Sequence, residues 1–346
     1  MAFSKLEGEE YFEFDAVFLN DQIHRIFEHI VPLFSYTIKK YMFFHLLFFF
    51  LIITELTLLF FFLGFLVKSS LFAISLAFLF LTLFSYCTLR LYLQTKKKEQ
   101  IEKIKETFIH LFKELIHFHE EIPEHHLALA NACTKFSTAL EGKETGFYHP
   151  PKWLDFLKPS MEKYSHWWHW LDIHHIREKM LVTAVNEQIT LVKCEPTNLE
   201  VHAALANAYV MLSCLYVNPD QVEGAADDHR ALSENMQKMM KKKFRFLAER
   251  AIEEFKILND YAPDDPWVHA QLAYSYHDLG MPREEMREYE IMHDLCPADK
   301  EILFKLGILY FQQGENAKGL QIYDELKRSN YKRAEQLIDH YGDYTF

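Results

Sequence analysis

The chain has 346 residues, half of them hydrophobic, with 31 Phe but only 10 Gly. That length accommodates a membrane segment and one sizeable soluble domain. The scarcity of Gly, with no GxGxxG or GxxxxGK stretch, excludes the Gly-rich phosphate loops of nucleotide enzymes. The net charge of −12 is uneven: −3 over residues 1–40, +1 over 41–95 and −10 over 96–346, and so acidic a soluble part excludes nucleic acid as a partner.

Residues 1–41 form an N-terminal segment in which 16–34 are amphipathic, with Phe18, Leu19, Ile23, Ile26, Phe27, Ile30, Leu33 and Phe34 at helical spacing. This helix either lies on a membrane surface or docks on the domain that follows. Residues 42–94 read as a transmembrane hairpin. Two apolar runs, 42–67 and 71–93, each exceed the roughly 20 residues that cross a bilayer core. Only Lys68, Ser69 and Ser70 separate them, which forces an antiparallel pair. Lys39 and Lys40 precede the first run and Lys96, Lys97 and Lys98 follow the second. Positive flanks stay in the cytoplasm, so both termini are expected there, in a double-pass protein of a bacterial inner membrane. Glu55, near the middle of the first run, faces the depth of Thr82 and Ser85. It reads either as an ion or proton relay or as a polar clasp between helices or protomers.

Residues 95–122 read as a helical stalk. Ile101, Ile104, Phe108, Leu111, Leu115, Phe118 and Ile122 alternate steps of three and four, which suits either a dimeric coiled coil or a helix packed on its neighbour. A homo-oligomer through the hairpin or the stalk is therefore open. Histidine then clusters at His117, His119, His125, His126, His166, His169, His174 and His175, with Glu120 and Glu121 among them. Such clusters ligate zinc or iron, so residues 117–175 carry the alternative reading, a membrane-associated metal-dependent enzyme. The spacings match no set of metal-binding boxes. Cys87, Cys133, Cys194, Cys214 and Cys296 are scattered, which fits a reducing compartment and neither a disulfide framework nor a zinc ribbon. No catalytic constellation stands out, and neither a cofactor nor a metal is expected.

The C-terminal half repeats itself. Leu272-Ala273-x-x-Tyr276-x-x-x-Gly280 recurs as Leu306-Gly307-x-x-Tyr310-x-x-x-Gly314 at an offset of 34 residues, and Tyr289 and Tyr323 match at the same offset. Pro297 closes the first of these units. Upstream, Leu205, Ala206, Tyr209, Ala251, Phe255 and Pro263 fill the same stations once an insertion is allowed, and Leu129, Ala130, Ala184, Leu191 and Pro196 do so more loosely. The repeats tile as 123–198, 199–265, 266–299 and 300–333, followed by a capping helix to residue 341. The first two carry 42 and 33 residues beyond the standard length.

This pattern resembles the tetratricopeptide repeat (TPR) family, which has Leu at position 7, a small residue at 8, Tyr at 11, a small residue at 20, an aromatic at 24 and Pro at 32. The chain departs from it at Cys133, Gln188, Glu285 and Tyr331. The resemblance implies an all-α solenoid of helical hairpins that binds a peptide or protein segment in its concave groove, a scaffold rather than an enzyme. The groove stations are Asn131, Asn207, Trp267, Gln271, Tyr274, His277, Phe304, Lys305, Ile308 and Phe311. Phe304 and Ile308 line that groove or pack on the capping helix. The cationic clamp of chaperone-binding TPR domains is missing, since its stations hold Leu127, Asn131, Ala204, Trp267 and Gln271. The layout of a short N-terminal segment, paired spans and a soluble domain also resembles chlamydial inclusion membrane proteins.

The insertions have their own chemistry. The first holds Trp153, Trp167, Trp168 and Trp170, and the second Lys238, Lys241, Lys242, Lys243 and Arg245. Interfacial Trp and clustered Lys bind lipid surfaces. These segments either rest on the membrane, or the Trp pack under a loop and the Lys form a solvated face.

Overall fold

A computed structural model describes residues 16–63, 71–148, 152–216 and 234–342, with the side chains of 16–20 and 152–154 left aside. The hairpin tip, the end of the first apolar run, the Trp153 side chain and residues 217–233 of the second insertion lie outside the described residues. The chain divides into two compact units, Met1–Met180 and Leu181–Phe346.

In the first unit, α1 (Ala16–Phe61) and α2 (Leu71–Leu115) run antiparallel. Phe27 meets Phe108, Tyr41 meets Gln100 and Glu55 meets Thr82. The amphipathic segment and the first apolar run are one helix, continuous through Pro32. No described residue of 43–63 or 71–93 is buried within the chain. The Lys-flanked ends do pack: Ile23, Ile30, Phe34 and Ile38 of α1 and Ile101, Ile104, Phe108 and Phe112 of α2 are all 4% exposed or less. Phe136 of α3 (Pro123–Ala139) closes this core against Phe27 and Phe108 at 5.3 and 4.8 Å between ring centroids. The amphipathic stretch thus docks on the stalk and α3.

Of the two readings of the stalk, the structure shows the helix packed on its neighbours. Its buried stripe is Ile101, Ile104, Phe108, Phe112 and Ile116, while Leu111, Leu115, Phe118 and Ile122 are half-buried. Steps of four follow the 3.6-residue period of a helix packed on intramolecular partners rather than a 3.5-residue seam. The helix also stops at Leu115, short of Ile122. His117 takes a left-handed φ of 46°, and the Phe118 amide donates to the Lys113 carbonyl at 2.9 Å, the bond that ends a helix by reversing the chain.

A 37-residue helix, α4 (Lys158–Cys194), spans the border between the units. Its Arg177 meets Ser137 and Glu141 of the α3 end at 3.4 Å each. The second unit continues with α5 (Leu199–Cys214) and α6 (Glu234–Tyr261), α7 (Pro266–Asp278) and α8 (Pro282–Leu295), α9 (Lys300–Gln312) and α10 (Asn316–Arg328), and the short α11 (Ala334–Ile338). These are antiparallel helical hairpins in series. The insertions lengthen the second helix of their hairpins: α4 and α6 have 37 and 28 residues, against 14 and 13 in α8 and α10.

Repeated local chemistry sets the hairpins. The first helix of each opens on an Asx cap: Asn198, Asp265 and Asp299 accept from the amides of Glu200, Trp267 and Glu301 at 3.0, 2.9 and 2.9 Å. Each cap stands two residues after Pro196, Pro263 or Pro297, so Pro-x-Asx ends one hairpin and starts the next. The reversal inside the hairpins uses Gly280 and Gly314 at φ 65° and 79°, and Asn330 takes the same role at 53°.

The small residue at position 8 is required by packing. Ala206 and Ala273 are at most 1% exposed, and a Cβ on Gly307 would come 2.8 Å from the Leu337 side chain. Leu205, Leu272, Leu306, Tyr276, Tyr310, Tyr289, Ala251 and Phe255 are buried in the layers between hairpins, whereas Tyr209 and Tyr323 are half-buried. A fully buried side chain of this size contributes about 1.5–3 kcal/mol.

Candidate peptide-binding face

Ridges of the first helices supply the candidate site. On α7, Trp267, Tyr274 and His277 point outward, and Trp267 and Tyr274 are 43% and 50% exposed. Aromatic side chains this large are seldom left open within a packed repeat. Gln271 lies between them, half-buried. Trp267 is braced edge-on by Phe255 of α6 at 6.1 Å. Asn207 is exposed on α5. Asn131 is exposed on α3, in the first unit.

From α9, Lys305 reaches back across the ridge. Its Nζ lies 5.1 Å from the ring centroid of Tyr274 and 5.9 Å from that of Tyr289, within cation–π range of both. Ile308 is half-buried one turn on. The face therefore offers two open aromatic rings, a cation held between rings, and the amides of Gln271 and Asn207. Such a surface can stack on an aliphatic or aromatic side chain and hydrogen-bond an extended backbone.

Two expected groove residues are not available. Phe304 and Phe311 are 2% and 0% exposed. Tyr331 packs on Phe304 at 6.0 Å with the Arg333 guanidinium 4.3 Å from the same ring, and Tyr341 packs on Phe311 at 5.5 Å. The polypeptide after α10 folds back over these positions and covers the apolar side of the α9–α10 hairpin. Tyr331, at the station where Pro was expected, also donates to Glu301 at 2.5 Å. That bond, reinforced by Arg333, holds the Glu301 carboxyl below its usual range.

At the rim, His277 Nδ1 lies 3.1 Å from both carboxylate oxygens of Glu285. Hydrogen bonding to Glu285 raises the His277 pKa, against the effect of burial. Burial raises the pKa of the neighbouring Asp278.

The histidines have structural partners. His202 and His269 stand at the same station of α5 and α7. Nδ1 meets Glu254 or Glu288 at 2.7 Å, and Nε2 meets the carbonyl of Pro196 or Pro263 at 3.0 or 2.8 Å. His126 reaches the Glu120 carbonyl at 3.0 Å from the matching station of α3. Burial opposes charge on His202, but its bonds to Glu254 and Pro196 together outweigh that and raise its pKa. His125 accepts from the His119 amide, and His169 meets Tyr148 at 2.6 Å. Among the described residues, no three His, Cys, Asp or Glu side chains gather as a metal-ligand set. The spacing of six residues from Pro to His was the visible signal for this clamp.

No protein-family model matches the chain, and no curated protein sequence does. A solved structure titled "IFIT1 monomeric mutant (L457E/L464E) with Gppp-AAAA" is similar at 12% identity and a TM-score of 0.33, over 72% of this chain. The chain spans about 61% of the length of that protein. A likeness of that degree carries nothing about this chain's ligand.

Proposed function

We propose that the protein is a membrane-anchored, non-enzymatic scaffold of TPR type, which holds a peptide or protein segment on the α7–α9 face at the cytoplasmic side of its membrane. The observation that carries the binding role is the open aromatic ridge. Trp267 and Tyr274 are exposed on a rigid helix, with Lys305 held above Tyr274. Exposed aromatic anchors beside a fixed cation are what peptide-binding surfaces use for affinity.

Support for the anchor comes from α1 and α2. Both are long and apolar enough to cross a bilayer, and Phe43, Phe60, Phe61, Phe78 and Phe84 on them are at least 61% exposed. An apolar surface of that extent needs lipid or another protein to cover it. Thr82 Oγ1 donates to Glu55 Oε1 at 2.8 Å between the two helices, which favours the polar clasp over a relay. Lys39, Lys40 and Lys96–Lys98 support a cytoplasmic side for both termini by charge bias.

The test uses the full chain in detergent. Proteins crosslinked to the wild type are compared with those crosslinked to Trp267→Ala/Tyr274→Ala, with thermal unfolding measured alongside. Loss of a partner at unchanged stability supports the face as the binding site. An unchanged crosslinking pattern overturns it.

A further inference from the structure

The first insertion was expected either to pack under a loop or to meet the membrane. In the structure part of it packs against the base of the apolar helix pair, and part of it stays open. The Trp168 ring lies 5.4 Å from that of His45. His45 belongs to the first apolar run and bonds Tyr86, in the second, at 3.1 Å. One turn further along α4, Asp172 pairs with Lys97 at 2.5 Å, and Lys97 lies in the basic flank beyond the second run. The direction of α4 follows from these two contacts. From Asp172 back to Trp168 the helix moves from the basic flank to the apolar run, about 6 Å at the rise of an α-helix.

The residues one turn nearer the N-terminus of α4 therefore continue alongside the start of the apolar runs. There the side chains face outward. Trp167 is 62% exposed, Leu171 is 49% exposed, and Tyr164 shares their face at steps of three and four. Phe156, in the 3-10 turn before α4, is 74% exposed. Lys158 and Lys163 are exposed among them.

We infer that the turns of α4 around Tyr164–Leu171 lie in the lipid headgroup layer at the Lys-flanked end of the helix pair, with Trp167 and Tyr164 inserted at the hydrocarbon boundary. The inference rests on the reading of α1 and α2 as spans. It adds that α4 itself meets the bilayer beside the spans. Three observations select lipid as the occupant. The stripe is continuous with an apolar surface that itself needs lipid. Its level is set by the Trp168–His45 and Asp172–Lys97 contacts. Its residue types, Trp and Tyr with Lys beside them, are those that settle where apolar chains meet headgroups. An indole is amphipathic, and a lysine stem reaches past the boundary to leave its ammonium among the phosphates.

The experiment uses the full chain reconstituted in vesicles of phosphatidylcholine and phosphatidylglycerol with brominated acyl chains. One variant keeps Trp167 alone and another keeps Trp267 alone, the remaining Trp being changed to Phe. For Trp167 the emission is expected to fall about twofold or more, most with bromine near the headgroup end of the chain, as for an interfacial indole. Trp267 emission is expected to stay unchanged. If Trp167 is unquenched in protein that resists carbonate extraction, the spans stand and the inference fails. If Trp167 is unquenched yet shielded from iodide, a second chain covers the stripe and the inference fails likewise. If carbonate extracts the protein, the span reading and the inference fall together.

Discussion

His277 and Glu285 occupy the two stations that Phe311 and Gly319 occupy one repeat later, and each pair fills the same gap between the two helices of a hairpin. In one hairpin a ring nitrogen meets a carboxylate at 3.1 Å. In the next, an aromatic ring packs against a glycine, where an added Cβ would stand 2.5 Å from Phe311 Cε1. Glu285 looks like a departure from the small-residue rule at position 20, yet it is 7% exposed and paired. The two stations are a matched set, polar in one repeat and apolar in the other.

The first prediction concerns the polar set. Glu285→Ala should remove the partner of His277, and a double-mutant cycle with His277→Ala should give a coupling of about 0.5–1 kcal/mol, since the His277 side chain is largely exposed and screened. His277 has its pKa raised in the folded state, so its contribution is full below the ordinary value of 6.5 and is lost as pH rises through the folded value. Unfolding of the full chain in detergent at acidic and at alkaline pH measures this. A coupling that grows with pH would contradict the pairing.

The apolar set makes the opposite demand. Gly319→Ala should destabilise the chain by about 1–3 kcal/mol through overpacking against Phe311. Phe311→Leu in the same background should recover part of that loss, because the two side chains compete for one volume. Thermal unfolding of the two single variants and the double variant decides it. Additive losses would mean that Phe311 is not what the new methyl group meets.

The histidine clamp gives a pH dependence of stability. Both ring nitrogens of His202 face acceptors, Glu254 and the Pro196 carbonyl, so the ring satisfies both only when it carries two protons. Its folded pKa is raised above 6.5. The stabilisation is therefore complete below about pH 6.5 and disappears as pH rises through the folded value. His202→Gln should flatten that part of the profile. The quantity to compare is the stability difference between wild type and variant across about pH 5.5–8.5, since His125 and His175, whose pKa values burial lowers, act in the opposite direction. A difference that does not shrink with rising pH would refute the clamp.

The fourth prediction concerns topology. In a chain with its native Cys changed to Ser, a Cys at Ser69 should react with an impermeant maleimide applied from outside intact cells, and a Cys at Ser4 should react only after lysis. The reverse pattern would invert the assigned sidedness.

The sequence determined what is local and periodic. The apolar runs declare themselves because they carry almost no charge over more than twenty residues each. The helical hairpins do so because Leu272, Ala273, Tyr276 and Gly280 return 34 residues later, each at a station with one packing task. The tertiary structure decided what depends on neighbours distant in the chain. Ile101, Ile104, Phe108 and Phe112 became the buried stripe of the stalk because α1 and α3 supply the facing side chains, a choice the heptad pattern left open. Phe304 and Phe311 passed from expected groove to core because the polypeptide after α10 returns over them. The position of Trp168 against His45 joins residues far apart in sequence, and nothing in the spacing of either segment foretells it. Periodicity gives the direction of a side chain around its own helix axis. What that side chain meets is fixed only when the other helices arrive.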